Sequence, residues 1–264
     1  MCVALKGYSI NDDKWELFKC DIDEWNKCKE KIFLTYLSEL ENSFYRNLEI
    51  YRDLNKGDVL VKNDIDIMIV NDKWSKARIF PVYQKENILT FILQLFYSKV
   101  VCRGSIQVHS ALISYHGSGI VFIGPSGIGK TTQAELWNKY KEALIINGDM
   151  VFVQETPEAF LGWGTPWHGS SPYCENTSVP LKAMIVLKQS PENSIRELTG
   201  FEKVTAVSNN VFYPTWLENG MELCLETLDH LLSRIPVYEL SCRPDEEAVK
   251  LTEETIFGSS SVSD

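Results

Sequence analysis

The sequence predicts an α/β protein: an N-terminal α+β lobe over residues 1–104, a phosphate-loop core with a mixed sheet over 105–257, and a disordered tail at 258–264. Three observations carry that prediction. The apolar run Ile120 to Ile123 leads into Gly124-Pro125-Ser126-Gly127-Ile128-Gly129-Lys130-Thr131-Thr132, and Gln133 to Tyr140 then has apolar and aromatic positions at helical spacing. Val108 to Tyr115 lies just upstream across the turn His116-Gly117-Ser118, so the strand that feeds the loop belongs to an antiparallel hairpin. An ordinary phosphate-loop enzyme has a parallel strand there, fed by a crossover. Downstream, apolar strands and amphipathic helices follow one another in short alternation, as a layered α/β core requires.

In chain order, Met1 to about Tyr36 is acidic, with Tyr8, Trp15, Phe18 and Trp25 available to pin short strands against a helix. Glu24 to Leu40 places Trp25, Cys28, Ile32, Phe33, Tyr36 and Leu40 near one helical face and predicts a core-packing helix. Asp58 to Val70 alternates like two strands around the break Asn63-Asp64, and Ala77 to Val82 adds a third that ends near Pro81. Together they predict a small antiparallel sheet. Asn87 to Val101 reads as a strongly apolar helix closed by Gly104. After the loop helix, Ala143 to Asp149 is an apolar strand that ends in an acid, and Met150 to Gln154 continues it. Phe160 to Tyr173 is a loop rich in Gly, Trp and Ser, and Leu181 to Leu187 is a buried strand. Glu218 to Arg234 is an amphipathic helix and Val237 to Leu240 a short strand. The last helix, Asp245 to Ile256, is opened by Pro244-Asp245-Glu246.

Composition narrows the partners. A chain of 264 residues that is 44% hydrophobic buries a substantial core, and a net charge of −10 disfavours both a nucleic-acid groove and an anionic membrane surface. No segment has the length of a bilayer span and the first residues lack a long apolar run, so a cytoplasmic location is expected. The seven cysteines are scattered, with no C-x-x-C pair, and are expected to be mostly buried, reduced thiols.

The loop itself carries the chemistry. Gly124, Gly129, Lys130 and Thr131 satisfy G-x-x-x-x-G-K-[ST], a pattern that arises by chance in a chain of this size roughly once in a hundred, given Gly at about 7% of residues. Glycines let the backbone amides of Ser126, Gly127, Ile128, Gly129, Lys130, Thr131 and Thr132 turn inward at a helix N-terminus, which makes an anion site for a nucleotide phosphate. Lys130 reaches the β- and γ-phosphates, and the Thr131 hydroxyl is a hard ligand for Mg²⁺. ATP and Mg²⁺ are therefore the expected cofactors; no motif selects ATP over GTP.

From His109 through the loop to the strand that ends at Asp149, the chain resembles the catalytic core of the HPr kinase/phosphorylase and phosphoenolpyruvate carboxykinase superfamily. More of it resembles a small carboxykinase-like branch associated with peptide-modification genes. The residues that carry this are Gly164-Thr165-Pro166-Trp167-His168-Gly169-Ser170-Ser171, Pro180-Leu181-Lys182-Ala183, Pro191-Glu192-Asn193, and Val237 to Cys242 with Pro244 to Val249. The resemblance implies a carboxykinase-like phosphate-loop fold and a Mg²⁺-dependent phosphotransferase with an alcohol acceptor. It places His109 on the histidine that acts beside the kinase family's catalytic aspartate. The chain departs from the pattern at one point: the kinase branch has two adjacent aspartates after the loop, whereas this sequence has Gly148-Asp149. Asp149 must then serve as metal ligand, as base, or as both through a bound water.

Phosphoryl transfer asks for positioning, charge neutralisation and a base near the acceptor. Asp149, Lys130 and His109 are the expected catalytic residues, with Thr131 and Asp149 on the metal. His109 either orients Asp149 or the acceptor, or is a hydrogen-bonded core histidine. Trp167, His168, Ser170 and Ser171 form either an acceptor pocket or a structural loop packed by its own tryptophans, Trp163 and Trp167. Arg103, Arg196 and Arg234 are candidates to clamp the γ-phosphate. The expected activity is ATP-dependent transfer to a hydroxyl of a peptide Ser or Thr or of a small molecule, in a chain compatible with a homo-oligomer. The alternative is a catalytically silent nucleotide-binding module in a peptide-modification system. A carboxykinase acting on oxaloacetate is disfavoured, because its additional metal-binding His and Lys set is not found.

Overall fold

The computed structural model describes residues 2–6, 10, 13–36, 57–63, 66–80 and 86–258. The chain divides into two compact units, Met1–Val100 and Val101–Asp264.

In the first unit, β1 (Cys2–Lys6), α1 (Asp13–Glu16), α2 (Ile22–Lys27), β2 (Lys31–Tyr36), β3 (Val59–Asn63), β4 (Asp66–Val70), β5 (Lys76–Ile79) and α3 (Glu86–Val100) follow in order. The five strands form one sheet, β1-β2-β5-β4-β3. One expectation is corrected here. The helix expected over Glu24 to Leu40 ends at Lys27, and Lys31 to Tyr36 is a strand. Ile32 and Leu34 are buried while Phe33 between them is exposed, which is period two. β1 and β5 satisfy both backbone edges of β2, and this wins over a helical pattern that the same residues also fit. Leu40 lies outside the described residues. β3, β4 and β5, the strands expected to form a small antiparallel sheet, do pair antiparallel, and β2 and β1 extend that sheet from the free edge of β5 in parallel. The β3–β4 hairpin is antiparallel as expected. Tyr8, Asp64, Ile65, Pro81, Val82 and residues 259–264 lie outside the described residues, and so does most of the expected tail.

The second unit holds a 3₁₀ turn (Val101–Arg103), β6 (Ser105–Tyr115), β7 (Ser118–Ile123), α4 (Lys130–Lys141), β8 (Leu144–Asn147), β9 (Met150–Glu155), β10 (Phe160–Trp163), β11 (Ser178–Gln189), β12 (Ser194–Glu197), α5 (Gly200–Ser208), β13 (Val211–Phe212), α6 (Gly220–Arg234), β14 (Val237–Cys242) and α7 (Glu246–Phe257). Its sheet runs β10-β9-β6-β7-β11-β14-β12, with β8 and β13 also on β6 and β10 bridging to β11. This is an α/β core on a mixed sheet, the class expected from the sequence. His116 and Gly117, with φ of 48° and 72°, make the two-residue turn whose twist suits a hairpin, so β6 and β7 pair antiparallel with Tyr115 opposite Ser118. On its other edge β7 is parallel to β11, which is parallel to β14. The loop strand thus stands at the junction of an antiparallel and a parallel half-sheet.

α4 and α7 share one core with β6, β7, β11 and β14, built from Trp137, Ala134, Phe122, Ile185, Leu240 and Val249. Trp137 is fully buried, and its truncation to Ala costs about 3–5 kcal/mol. The strand expected over Ala143 to Asp149 is β8 and ends at Asn147, and the apolar stretch beyond it is a separate strand, β9, both antiparallel to β6. The segment Phe160–Trp163, expected as loop, is strand β10, which hydrogen-bonds to β9 and β11. Of the seven cysteines only Cys174, Cys224 and Cys242 are buried, fewer than expected, and Cys20 and Cys102 are exposed. None is in a disulfide.

Candidate functional site

Residues 124–130 leave β7 and enter α4 through Gly124, Gly127 and Gly129, whose φ values of 142°, 77° and 112° are open to glycine and strained for other residues. Gly129 is the N-cap of α4 and has no side chain to occupy the helix's first amides, which leaves them available to an anion. The Lys130 ammonium is buried within this turn and donates to the carbonyls of Gly124 at 2.9 Å and Pro125 at 3.2 Å. Burial lowers the Lys130 pKa, and Asp149 opposes the shift. Thr131, on the first turn, donates its hydroxyl to the Gly148 carbonyl at 3.2 Å, which places it one residue from Asp149.

Asp149 is set by its neighbours on β8 and β6. The side chain of the fully buried Asn147 accepts from the amides of both Asp149 and Met150, a local turn that interrupts the strand. The Asp149 carbonyl accepts from Ser110 N at 2.9 Å, so its backbone is held on β6 next to His109. His109 Nε2 lies 3.3 Å from Asp149 Oδ1, with both side chains about 30% exposed. Burial, followed by the Lys130 cation, lowers the His109 pKa below its ordinary value, and Asp149 partly offsets this. At neutral pH the imidazole is therefore uncharged and faces a carboxylate, the relation of a base to its orienting partner.

The loop between β10 and β11 closes over this pair from one side. Its Gly169 backs onto Asp149 so closely that a Cβ there would sit 2.6 Å from Oδ2. Ser171 lies over Gly148: a Cβ on Gly148 would overlap the Ser171 hydroxyl and come within 2.6 Å of its Cβ. Of the four residues expected to meet an acceptor, Ser171 is thus buried and used in packing, with its hydroxyl accepting from Tyr173 N. Trp167 and His168 are half-buried and Ser170 is exposed. The His168 Nδ1 is 2.6 Å from the Ser171 carbonyl. Trp163 is on β10 and donates to Gln154, outside this loop.

Of the arginines, Arg196 is on β12 and pairs with Glu202 and Glu239, and Arg234 on α6 lies near Glu155 and over the Phe160 ring. Neither is beside the phosphate loop. The arginine that is there, Arg243, was not singled out from sequence. Asn210 was missed as well. Its Oδ1 accepts from Gly124 N at 3.0 Å, its Nδ2 donates to Ala206 O, and its carbonyl accepts from His109 N at 2.8 Å. One residue therefore ties the first amide of the loop to the strand that carries His109. No local signal marks it, since Ser208-Asn209-Asn210 reads as an ordinary turn. Phe212 on β13 packs its ring 6.2 Å from that of His109.

Residues 83–244 match the family described as SynChlorMet cassette protein ScmC. The chain belongs to that family. The part matched to ScmC takes in the phosphate loop, His109, Asp149 and Asn210 and ends before α7. Over 94 residues the chain is also 31% identical to an HPr kinase/phosphorylase of Mycoplasmopsis pulmonis, covering 36% of this chain and 26% of that protein. The aligned stretch thus spans about a quarter of the curated relative's length. Among solved structures it is similar to the Hpr(Ser) kinase/phosphatase of Coxiella burnetii, with 10% identity, a TM-score of 0.35, and coverage of 56% of this chain and 95% of that one. The resemblance expected from the sequence is met by the HPr kinase/phosphorylase relative and by the match to a cassette-protein family. No helix among the described residues is long and apolar enough to cross a membrane.

Proposed function

We propose that this ScmC-family chain binds ATP through Ser126 to Thr132 and transfers its γ-phosphoryl group to a hydroxyl, on a peptide Ser or Thr or on a small molecule. The observation that carries this reading is the His109–Asp149 pair, 3.3 Å apart and one residue from the Thr131 contact at the phosphate loop. Loop amides and Lys130 hold and neutralise the phosphates, the acceptor oxygen bonds to the γ-phosphorus as the β–γ bridging bond breaks, and the hydroxyl proton passes to Asp149. His109 keeps that carboxylate oriented. Trp167, His168 and Ser170, beside Asp149 on the closing loop, offer the acceptor its nearest contacts.

The donor set suits Mg²⁺. Thr131 and Asp149 would hold it through hard oxygens, and among the described residues no group of three or more His, Cys, Asp or Glu gathers to hold a metal by itself. That fits an ion which draws its other ligands from phosphate and water. When bound it supplies charge neutralisation on the transferred group.

The test is Mg²⁺-dependent product formation from ATP against a panel of Ser- and Thr-containing peptides and free hydroxyl metabolites. A phosphorylated product supports the reading. Tight ATP binding with no product across the panel favours a silent regulatory module, a second reading motivated by the space over Gly148 that Ser171 fills in place of a second carboxylate.

Two further outcomes are expected. The imidazole of His109, followed by NMR, titrates below 6.5; its midpoint rises in Lys130→Ala and falls further in Asp149→Asn. A wild-type midpoint at or above 6.5 contradicts this. Because the folded value is depressed, the unfolded chain binds the proton more readily. Stability is full above 6.5 and is lost as pH falls towards the folded midpoint. Asn210→Ala leaves the Gly124 amide without its side-chain acceptor, at a cost of about 1–3 kcal/mol, and weakens ATP binding about tenfold. Unchanged affinity would show that the loop holds its shape without Asn210.

A further inference from the structure

Away from the phosphate loop, three cysteines of the first unit meet. Cys2 opens β1, Cys20 precedes Asp21, the N-cap of α2, and Cys28 is the C-cap of the same helix. Sheet register brings the first and last together. Cys2 is paired with Lys31 at the start of β2, and the neighbouring Glu30 carbonyl accepts from both the Cys2 amide at 3.0 Å and the Cys28 thiol at 2.9 Å. The Cys2 thiol is in turn hydrogen-bonded to the thiols of Cys28 and Cys20. All three are reduced; Cys2 and Cys28 are half-buried, and Cys20 is exposed.

Contact between thiols admits two chemistries, shared ligation of a metal and oxidation to a disulfide. Among the described residues no three metal donors are gathered for the first. The second needs one thiol with thiolate character and another within reach of it. The pair is asymmetric in that sense. Burial, followed by the hydrogen bonds with Cys28 and Cys20, pushes the Cys2 thiol up to about 12. Burial acts on Cys28 in the same direction, but hydrogen bonds from the Cys2 thiol and the Glu30 backbone outweigh it and hold Cys28 below its ordinary value.

We propose that Cys28 and Cys2 form a reversible disulfide when the protein meets a hydroperoxide, with Cys28 as the attacking thiolate. The Cys28 sulfur bonds to one peroxide oxygen as the O–O bond breaks, giving a sulfenic acid and a hydroxide that takes up the proton the thiol has released. The Cys2 sulfur then displaces that oxygen. The S–S bond forms as the S–O bond breaks, and the Cys2 proton leaves with the hydroxyl as water. Two thiols have lost two electrons and one hydroperoxide has gained them. The bond joins β1, an edge strand of its sheet, to the end of α2, and it is independent of the nucleotide reading.

Brief treatment of the full chain with one equivalent of hydrogen peroxide, then trypsin and mass spectrometry without reduction, tests this. Lys6, Lys19, Lys27 and Lys29 part the three cysteines into separate peptides. The expected product is a Cys2–Cys28 link that dithiothreitol removes, with Cys102 still reduced although it is exposed. With iodoacetamide at pH 7, Cys28 is expected to react about fivefold or more faster than Cys102, an advantage lost in Cys2→Ala. In that variant peroxide leaves Cys28 as a sulfenic acid that dimedone captures. A Cys2–Cys20 link, oxidation spread over Cys20 and Cys102 with no link, a Cys28 alkylation rate no higher than that of Cys102, or no dimedone adduct in Cys2→Ala overturns the proposal.

Discussion

Asp149→Asn lowers Mg²⁺-dependent phosphoryl transfer by about 10³-fold or more and leaves the affinity for metal-free ATP within about threefold of the wild type, whereas Lys130→Ala loses both. The asymmetry follows from placement. Asp149 sits at the strand break, fixed by Asn147 and Ser110, with its carboxylate on His109 and outside the turn that encloses Lys130. Its exchange for an amide keeps the shape and removes the proton acceptor. Lys130 lies inside the loop, where its ammonium holds the turn through Gly124 and stands beside the uncapped amides at Gly129 that the proposal gives to the phosphates. Steady-state turnover with the identified acceptor, together with calorimetric affinities, checks both halves. An Asp149→Asn protein with more than a tenth of wild-type turnover would remove Asp149 from the role of base.

Gly148→Asp, which restores the pair of adjacent aspartates found in the kinase branch, is expected to destabilise the protein and to abolish turnover. Ser171 occupies the space that any side chain at 148 needs, and Gly169 crowds Asp149 from the same loop. Forcing a carboxylate into it costs about 1–3 kcal/mol of overpacking, a fall in Tm of several degrees, and displaces the loop from Asp149. The double variant Gly148→Asp, Ser171→Gly opens that space and recovers most of the Tm. If the single variant melts with the wild type, the loop moves freely and Ser171 does not set the identity of residue 148. The single aspartate is thus built into the packing.

What was legible from sequence was local. The glycine-rich turn is legible because its glycines, lysine and threonine form a pattern within nine residues, and the hairpin before it because His116-Gly117 and flanking alternation specify a turn. The apolar residues of Lys31 to Tyr36 satisfy both periods, and only β1 and β5, at a distance in the chain, choose the strand. β12, α5 and β13 were passed over because their surfaces are largely exposed and lack a strong pattern; Phe201 is 85% exposed.

By itself the sequence determined the class of the core, the glycine-rich turn that leads from β7 into α4 and the presence of a single aspartate after it, because each depends on neighbours in the chain. The tertiary structure alone decided that His109 reaches Asp149, that Asn210 caps the amide of Gly124 from 86 residues away, and that Ser171 excludes a side chain at 148. Those contacts are made by strands paired across β6 and by a loop folded back on it. Their partners are chosen by sheet register and close packing, which no local pattern of residue types encodes.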